Sequence, residues 1–278
     1  MTLYLVATPI GNLGDMTARA IEALRTCDLV AAEDTRRTHK LLSHFGIEGK
    51  RIESLHAHST ESDVARMVDA LREGRSIALC TDAGTPQVSD PGDALVRAAI
   101  AAGIQVVPRP GPSAVLAALS GSGLGTGGGF RFAGFLPRAG TERASALRRV
   151  ADDPEPVILF EAKGRVEDTL RDLAAATPTR PACVARELTK VHEEFVRGTP
   201  AELAALEREW IGEIVIVLGA HDPAAREDAI DDAAIDARID EELAKGAHAK
   251  TVAERLAAWS GRSKRDVYER VISRKRER

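Results

Sequence analysis

The amino-acid sequence predicts two α/β domains followed by a small helical appendage. Three observations support this prediction. Short apolar runs alternate with segments of helical apolar spacing, a glycine-rich segment interrupts that alternation at 120–129, and strand patterns stop near residue 222. With 278 residues the chain also exceeds one typical domain of roughly 100 to 200 residues.

The first domain is predicted over residues 1–120. A strand over 3–8 ends in a Thr-Pro-Ile-Gly-Asn turn, and a helix over 17–27 and a strand over 29–32 complete one β-α-β unit. The pattern then recurs, with helices over 35–45, 61–73 and 93–102, strands over 51–55, 76–80 and 104–107, and a further helix opened by residues 111–113. Continuous apolar strands separated by amphipathic helices are typical of a parallel sheet covered on both faces.

The second domain is predicted over 121–222, because the segment at 120–129 is too rich in glycine for a helix or a strand. Beyond it the sequence predicts strands over 131–135, 157–160, 181–185, 194–197 and 213–218, and helices over 143–150, 166–175 and 201–208. Residues 223–278 continue with helical patterning alone, which Gly246 and Gly261 interrupt and which includes helices over 251–259 and 263–273.

Composition indicates a soluble globular enzyme. The chain is 44% hydrophobic, 29% charged and 4% aromatic, which excludes a disordered or fibrous protein. The net charge of −4 does not suggest nucleic-acid binding, but acidic residues dominate 222–242, whereas 262–278 holds eight basic residues against three acidic ones. We therefore expect the extreme C-terminus to be a basic surface.

The sequence carries no signal for a membrane, a disulfide or a metal. The opening residues lack a basic segment, and no stretch approaches the ~20 apolar residues of a membrane span, so we expect a cytoplasmic protein. Cys27, Cys80 and Cys183 lie far apart in apolar stretches and predict buried thiols. His56 and His58 lack a cysteine partner or a third ligand and are expected to be polar loop residues, with no bound metal.

Three loops that follow predicted strands combine glycine or proline with small residues, at 8–15, 81–86 and 108–113. Ligands of open parallel sheets bind beyond the carboxyl ends of the strands, where such loops bring backbone groups close to a ligand. Each loop taken alone is equally consistent with a tight turn. The sequence has no G-x-G-x-x-G after the first strand and no P-loop motif, which argues against a dinucleotide enzyme or a P-loop NTPase.

Six segments carry a close resemblance in order and spacing: YLVATPIGNLGD at 4–15, AAEDTR at 31–36, DAGTP at 82–86, SDPG at 89–92, PGPS at 110–113 and ARELTK at 185–190. Together they resemble the bacterial ribosomal RNA small subunit methyltransferase I family, which has the tetrapyrrole methylase fold. The resemblance covers nearly the whole chain. It implies two α/β domains with S-adenosylmethionine in the cleft between them, a homodimer, and methyl transfer to the ribose 2'-hydroxyl of a cytidine in the decoding region of 16S RNA.

Two segments depart from the family pattern. Residues 161–165 read Glu-Ala-Lys-Gly-Arg where the family usually has Glu-Ser-Pro-His-Arg, so Glu161 and Arg165 are kept and the central histidine is lost. Ser59 stands where an asparagine is usual.

The resemblance also implies a cofactor site. It places residues of the first loop at the cofactor floor, the segment after the predicted strand at 76–80 against the cofactor's polar groups, the start of the helix at 113 on its other side, and two second-domain residues across the cleft. These residues are Pro9, Ile10, Gly11, Asp82, Ala83, Gly84, Thr85, Ser113, Ala114, Arg186 and Glu213.

A ribose hydroxyl is a poor nucleophile until its proton is removed, so a carboxylate is expected as general base. The candidates are Glu33, Asp34 and Glu187, although Asp34 or Thr35 equally suits a helix N-cap.

Basic residues are expected to hold RNA phosphates, a role that suits the guanidinium fork. The candidates are Arg36, Arg37, Lys190, Arg262, Lys264 and Arg265. Lys40 and Arg186 are further candidates, and for Arg37 and Lys40 taken singly we favour a solvated helix face.

Two alternative functions follow from other features. A tetrapyrrole or corrinoid-precursor C-methyltransferase would share the fold, but such enzymes resemble a Gly-x-Gly-x-Gly-Asp opening loop that this chain lacks. A helix-turn-helix over 250–273, with Gly261 at the turn, would indicate a DNA-binding regulator. We favour a tail that contacts ribosomal RNA.

Overall fold

The computed structural model describes residues 1–221, 232–245, 247–260 and 263–276. Contacts divide the chain into two compact units, Met1–Gly219 and Ala220–Arg278. The first unit contains two five-stranded sheets.

The first sheet has the strand order β3-β2-β4-β1-β5, and all of its pairings are parallel. Its strands are β1 (Thr2–Val6), β2 (Leu29–Ala32), β3 (Arg51–Ser54), β4 (Ser76–Cys80) and β5 (Gln105–Arg109). The central strands are apolar because helices cover both faces; all four residues of β2 are buried. The prediction of a parallel α/β sheet is confirmed.

Five helices alternate with these strands: α1 (Ala18–Thr26), α2 (Thr35–His44), α3 (Glu61–Arg72), α4 (Asp93–Ala101) and α5 (Ala114–Ser122). Four of these helices have side-chain N-caps, which accept hydrogen bonds from amides that a helix start leaves unpaired. The caps are Thr17 for α1, Asp34 for α2, Thr60 for α3 and Ser113 for α5. The prediction that residues 120–122 are not helical is wrong. Helix α5 continues there because it packs closely on the second sheet: a Cβ on Gly121 would lie 2.2 Å from Cζ of Phe195.

The second sheet is mixed, with the order β6-β7-β10-β8-β9. Its strands are β6 (Arg131–Phe135), β7 (Val157–Glu161), β8 (Ala182–Arg186), β9 (Glu194–Gly198) and β10 (Ile214–Leu218). Strands β6 and β7 are parallel, whereas β10 is antiparallel to both of its neighbours and β8 is antiparallel to β9.

The helices of this sheet are α6 (Gly140–Ala151), α7 (Val166–Ala176) and α8 (Pro200–Ala204). Helix α8 ends before the predicted residue 208, because the side chain of Leu206 is 43% exposed and the buried stripe stops at Leu203.

The second unit contains three helices in its described part: α9 (Asp232–Ala244), α10 (Ala249–Ser260) and α11 (Lys264–Arg276). They pack around Ile235, Ile239, Val252, Leu256, Val267 and Val271. The helical prediction for the tail is confirmed, while its predicted breaks at Gly246 and Gly261 lie outside the described residues.

Two further expectations bear on the core and on membranes. Cys27, Cys80 and Cys183 are buried free thiols, as predicted. Among the described residues, no helix has the length and apolar character needed to cross a membrane.

Candidate active site

A cavity of about 430 Å³ lies between the two sheets of the first unit. One wall comes from loops that follow β1, β4 and β5, and the other from β6, β7 and β10 with their flanking residues. The lining residues are Ile10, Ala83, Gly84, Thr85, Val88, Ser89, Asp90, Ser113, Ala114, Val115, Phe135, Phe160, Glu161, Ala162, Gly212, Glu213, Ile214 and Val215. This volume falls within the range of small-molecule sites, roughly 300 to 1,000 Å³.

Hydrogen bonds join the three loops into one floor. The backbone of Thr8 pairs with that of Gly84 in both directions, over 2.8 and 3.0 Å. Oγ1 of Thr8 donates to the carbonyl of Thr81 over 3.1 Å, and Oγ1 of Thr85 donates to the carbonyl of Pro112 over 3.1 Å. The loops singled out in the sequence are therefore neighbours.

The predicted cofactor residues fall into two groups. Those that line the cavity are Ile10, Ala83, Gly84, Thr85, Ser113, Ala114 and Glu213. Those that do not are Pro9, Gly11, Asp82 and Arg186.

A second cavity, of about 230 Å³, lies at the other side of the same loops. Its lining residues are Thr8, Pro9, Leu13, Arg37, Thr38, Lys40, Leu41, Thr81 and Asp82. Pro9 and Asp82 each precede a residue of the first cavity, so the two cavities meet at the loops after β1 and β4. The second cavity has two cationic side chains in its wall, Arg37 and Lys40.

The carboxylate of Asp82 links the loops after β2 and β4. Oδ1 of Asp82 accepts from the amide of Asp34 over 3.0 Å, and Oδ2 of Asp82 lies 3.3 Å from Nη1 of Arg37. Asp34 caps α2, and hydrogen bonds from Arg36 lower the pKa of its carboxyl to about 2. Of the two interpretations left open for Asp34, the structure shows the N-cap.

Lys190 bridges two acidic residues at the opposite wall. Its Nζ lies 3.0 Å from Oε1 of Glu187 and 3.1 Å from Oε2 of Glu213. The amide of Glu213 also donates to Oε1 of Glu187 over 3.0 Å, and this bond, followed by that from Lys190, lowers the pKa of the Glu187 carboxyl. Gly11 packs against this group, because a Cβ there would lie 2.6 Å from Cγ of Lys190.

Arg186 is held away from the first cavity. Its Nε donates to Oε2 of Glu194 over 2.7 Å, and Arg208 donates to the same oxygen over 2.8 Å. Hydrogen bonds from Arg208 and then from Arg186 lower the pKa of the Glu194 carboxyl to about 2. This three-residue cluster braces β8 against β9.

The segment that departs from the family pattern retains an internal ion pair. Nε of Arg165 lies 3.4 Å from Oε1 of Glu161, whose other oxygen accepts from Oγ1 of Thr169 over 2.7 Å. Arg165 also donates to the carbonyls of Leu136 and Pro137. The buried Glu161 carboxylate and its arginine are therefore structural partners, and loss of the histidine between them leaves this pair intact.

Asp90 is a cavity carboxylate to which sequence reasoning assigned no role. It is half-buried, and burial, reinforced by the charges of Glu33 and Asp82, raises the pKa of its carboxyl to about 7. In the described part of the chain, no group makes a hydrogen bond or an ion pair with that carboxylate. The segment at 89–92 stood out in the sequence, but the sequence could not show that the Asp90 carboxylate would lack such a partner. Phe135 and Phe160 were missed as well, because they belong to ordinary strand patterns.

The predicted RNA-binding residues are mostly paired with acids. Arg36 and Arg37 contact Asp34 and Asp82, and Lys190 lies within the Glu187 group. Lys264 contacts Glu254, Arg265 lies 3.2 Å from Glu269, and Arg262 lies outside the described residues. His56 and His58 are exposed and interact with each other, the amide of His58 donating to Nδ1 of His56 over 3.1 Å.

Comparison with known proteins gives a consistent result. Residues 2–204 match the model of the family described as Tetrapyrrole (Corrin/Porphyrin) Methylases. The chain is 50% identical over 222 residues to a ribosomal RNA small subunit methyltransferase I of Xylella fastidiosa, covering 78% of this chain and 81% of that protein. It is 42% identical over 271 residues to the protein of the same name from Halalkalibacterium halodurans, covering 96% and 93%.

A solved structure shares the fold. The uroporphyrin-III C-methyl transferase of Thermus thermophilus, complexed with S-adenyl homocysteine, is similar with a TM-score of 0.55 at 19% identity. The similarity covers 79% of this chain and 97% of that one.

Proposed function

Because the chain belongs to the tetrapyrrole (corrin/porphyrin) methylase family, and within it to the ribosomal RNA small subunit methyltransferase I proteins, we propose that it methylates the ribose 2'-hydroxyl of a cytidine in the decoding region of 16S RNA, with S-adenosylmethionine as donor. One observation carries the proposal: a cavity whose charged lining residues are all acidic meets, at the loops after β1 and β4, a second cavity lined by Arg37 and Lys40 beside Asp82. A cationic donor suits the first cavity, and a polyanionic acceptor suits the second.

The first cavity fits the donor in size and chemistry. Its charged lining residues are all acidic, namely Asp90, Glu161 and Glu213, which favours a ligand with cationic centres. Its aromatic wall includes Phe135, whose side chain is 55% exposed, and Phe160, with ring centroids 5.6 Å apart. These faces would cover an adenine ring.

S-adenosylmethionine supplies an activated methyl group on its sulfonium, so the protein's main task is alignment. The joined loops after β1, β4 and β5 form a rigid floor on which Ile10, Gly84 and Thr85 would contact the donor. Lys190 holds Glu213 at the opposite wall.

The second cavity supports a nucleic-acid acceptor. Arg37 and Lys40 would contact phosphates next to the target nucleotide, because guanidinium and ammonium groups are the usual phosphate partners in proteins. A tetrapyrrole acceptor with carboxylate side chains remains the second candidate from the sequence. The family match over residues 2–204 supports a methyltransferase rather than a DNA-binding regulator, whose motif was placed at 250–273, outside the matched residues.

We further propose that the protein acts in the cytoplasm, as a homodimer, on 16S RNA or on the small ribosomal subunit, and without a metal. Its similarity to two bacterial proteins named ribosomal RNA small subunit methyltransferase I supports the RNA substrate.

The test is methyl transfer from labelled S-adenosylmethionine to small subunits that lack their ribose methylations, followed by nuclease digestion and mass spectrometry. A single 2'-O-methylcytidine in the decoding region is the expected product. Donor binding without incorporation into RNA, together with transfer to a tetrapyrrole precursor, would contradict the proposal.

A further inference from the structure

We propose that Asp90 is the general base that removes the proton from the acceptor hydroxyl. The inference rests on the proposed methyl transfer and deepens it. A ribose hydroxyl needs a proton acceptor within hydrogen-bond reach as its oxygen begins to bond to carbon. The base must therefore border the donor cavity and have a free oxygen.

Asp90 has the required position. It lines the first cavity, and its pKa responds to the charges of Glu33 and Asp82, which lie on the loops after β2 and β4. Asp82 borders the second cavity, where the acceptor is proposed to bind. Asp90 thus lies on the donor side of the loops at which the two cavities meet.

The other carboxylates around the cavities are already held by partners. Oε2 of Glu33 accepts from the amide of Asp82, Asp34 caps α2 and pairs with Arg36, and Asp82 holds Arg37. At the second sheet, the partners are Lys190 for Glu187 and Glu213, and Thr169 and Arg165 for Glu161. A carboxylate that already holds a hydrogen bond or an ion pair is less available to take up the proton of the acceptor hydroxyl.

The surroundings of Asp90 increase its basicity. The charges that act on it are those of Glu33 and Asp82, and the other charged residues that line its cavity, Glu161 and Glu213, are acidic as well. Among the described lining residues, none is Lys, Arg or His. A base is most effective when its pKa lies near the working pH, since it is then both ionised and able to retain the proton.

The backbone holds Asp90 in place. Gln87 and Ser89, on either side of Val88, have positive φ angles of 70° and 66°, which side-chain-bearing residues rarely adopt. The amide of Val88 donates to the carbonyl of Thr85 over 3.2 Å, which ties this turn to the cavity floor. Such backbone strain persists where the surrounding structure fixes it, and it clusters at functional sites.

The proposed step balances. The ribose oxygen bonds to the methyl carbon while the carbon–sulfur bond breaks and its electron pair goes to sulfur, leaving a neutral thioether. The hydroxyl proton goes to a carboxylate oxygen of Asp90, and the carboxylic acid then releases it to solvent.

The test compares wild type with Asp90→Asn and with Asp93→Asn as a matched control. Asp93 is exposed at the start of α4 and pairs with Arg97, outside both cavities. Single-turnover methyl transfer to small subunits is measured across about pH 5.5 to 9 at saturating donor, and donor affinity is measured by calorimetry. Asp90→Asn should lower the rate by about 100-fold or more and abolish its rise with pH, while donor affinity stays within about threefold.

A rate of Asp90→Asn within about threefold of wild type would overturn the assignment, and so would a loss of donor affinity as large as the loss of rate. The second result would make Asp90 a donor ligand. If Asp90→Asn fails to fold, carboxyl carbon-13 NMR of the wild type decides. A carboxyl that titrates with the methylation rate supports the base, and one that titrates below about pH 5 overturns it.

The same experiment separates the two proposals. Wild-type protein that binds the donor but methylates no RNA overturns the proposed function, and with it the role of Asp90 toward ribose. RNA methylation that Asp90→Asn retains overturns the role of Asp90 alone.

Discussion

The backbone amide of Asp82 donates a hydrogen bond to Oε2 of Glu33 over 3.2 Å, which joins the loop after β4 to the loop after β2. A glutamine at position 33 can accept the same bond through its amide oxygen but has no charge. Because the Glu33 charge helps to raise the pKa of Asp90, Glu33→Gln should shift the rise of the methylation rate to lower pH. At pH 6 we expect the rate to increase by about two- to threefold.

The exposed Glu48 provides the control, because Glu48→Gln removes a charge from the loop before β3 and should leave the pH profile unchanged. A large fall in the plateau rate of Glu33→Gln would instead identify Glu33 as the base.

The unpaired Asp90 carboxyl also predicts how stability varies with pH. Its folded-state pKa of about 7 exceeds its ordinary value of 3.8, so between these values the folded chain holds a proton that the unfolded chain has lost. The free energy of unfolding therefore falls as pH rises through this window. Asp90→Asn should be more stable than wild type at pH 8 by about 1 to 2 kcal/mol, after allowance for solvent screening.

Urea unfolding at pH 8 and near pH 4 measures this difference, which should vanish at the lower pH. A variant that is less stable than wild type at pH 8 would show that Asp90 has a stabilising partner.

The structure leaves no room for a side chain at Gly212. Its φ is +94°, and a Cβ would lie 2.2 Å from Oε1 of Glu187, which cannot retreat because it holds Lys190 and the amide of Glu213. Gly212→Ala should lower the free energy of unfolding by about 2 to 4 kcal/mol and weaken donor binding, since Gly212 lines the cavity.

Gly103→Ala is the matched control, with a φ of +70° and open space around its Cβ. Its cost of about 1 kcal/mol isolates the backbone contribution. Equal losses in the two variants would mean that Glu187 moves aside.

Thr169 stabilises the buried Glu161 carboxylate, to which its Oγ1 donates over 2.7 Å. Thr169→Val keeps the shape and removes both the donor to Glu161 and the acceptor of a 3.0 Å bond from Nη2 of Arg143, so the free energy of unfolding should fall by about 1 to 3 kcal/mol. Thr26→Val removes an exposed hydroxyl that bonds to the carbonyl of Glu22 and should cost less than about 0.5 kcal/mol. Denaturant unfolding of both variants checks the difference, and similar losses would refute a special role for the Glu161 bond.

The second unit neutralises part of its own basic charge. Nε of Arg270 donates to Asp236 over 2.6 Å, and Arg274 contacts Asp240, so α11 is paired with α9. Asp236→Asn combined with Asp240→Asn should remove two negative charges beside α11 and so raise the positive charge that this helix presents to phosphates. We expect the slope of log affinity for RNA against log salt to steepen by about 2. Adding Arg270→Ala and Arg274→Ala should restore the original slope, and an unchanged slope in the first variant would exclude these arginines from RNA contact.

The local sequence pattern was sufficient to predict the strand directions of the parallel sheet, but not those of the mixed sheet. In the first sheet, buried runs such as Leu29–Ala32 alternate with amphipathic helices, and that alternation itself implies parallel pairing. In the second sheet, β7, β8 and β10 are equally apolar, and a fully buried strand has the same pattern in either direction. Their directions depend on contacts between distant segments.

The candidate site also has one part that the sequence predicts and one that it does not. The loops that form the cavity floor were predictable, because glycine and proline mark them directly after strands. The isolation of Asp90 was not, since it depends on Glu33 and Asp82 and on partners that occupy every neighbouring carboxylate. Asp82 was expected to face the cofactor, yet the structure turns its carboxylate toward Asp34 and Arg37.

Strand β10 is the last strand in the described part of the chain, yet it lies between β7 and β8 in the middle of its sheet. On the ribosome, β7 and β8 therefore emerge long before the strand that fills the gap between them, each with an open edge. Ile214 and Val215 of that same strand line the donor cavity. A nascent chain thus cannot complete this sheet, or the wall of its donor cavity, before residues 214–218 leave the exit tunnel.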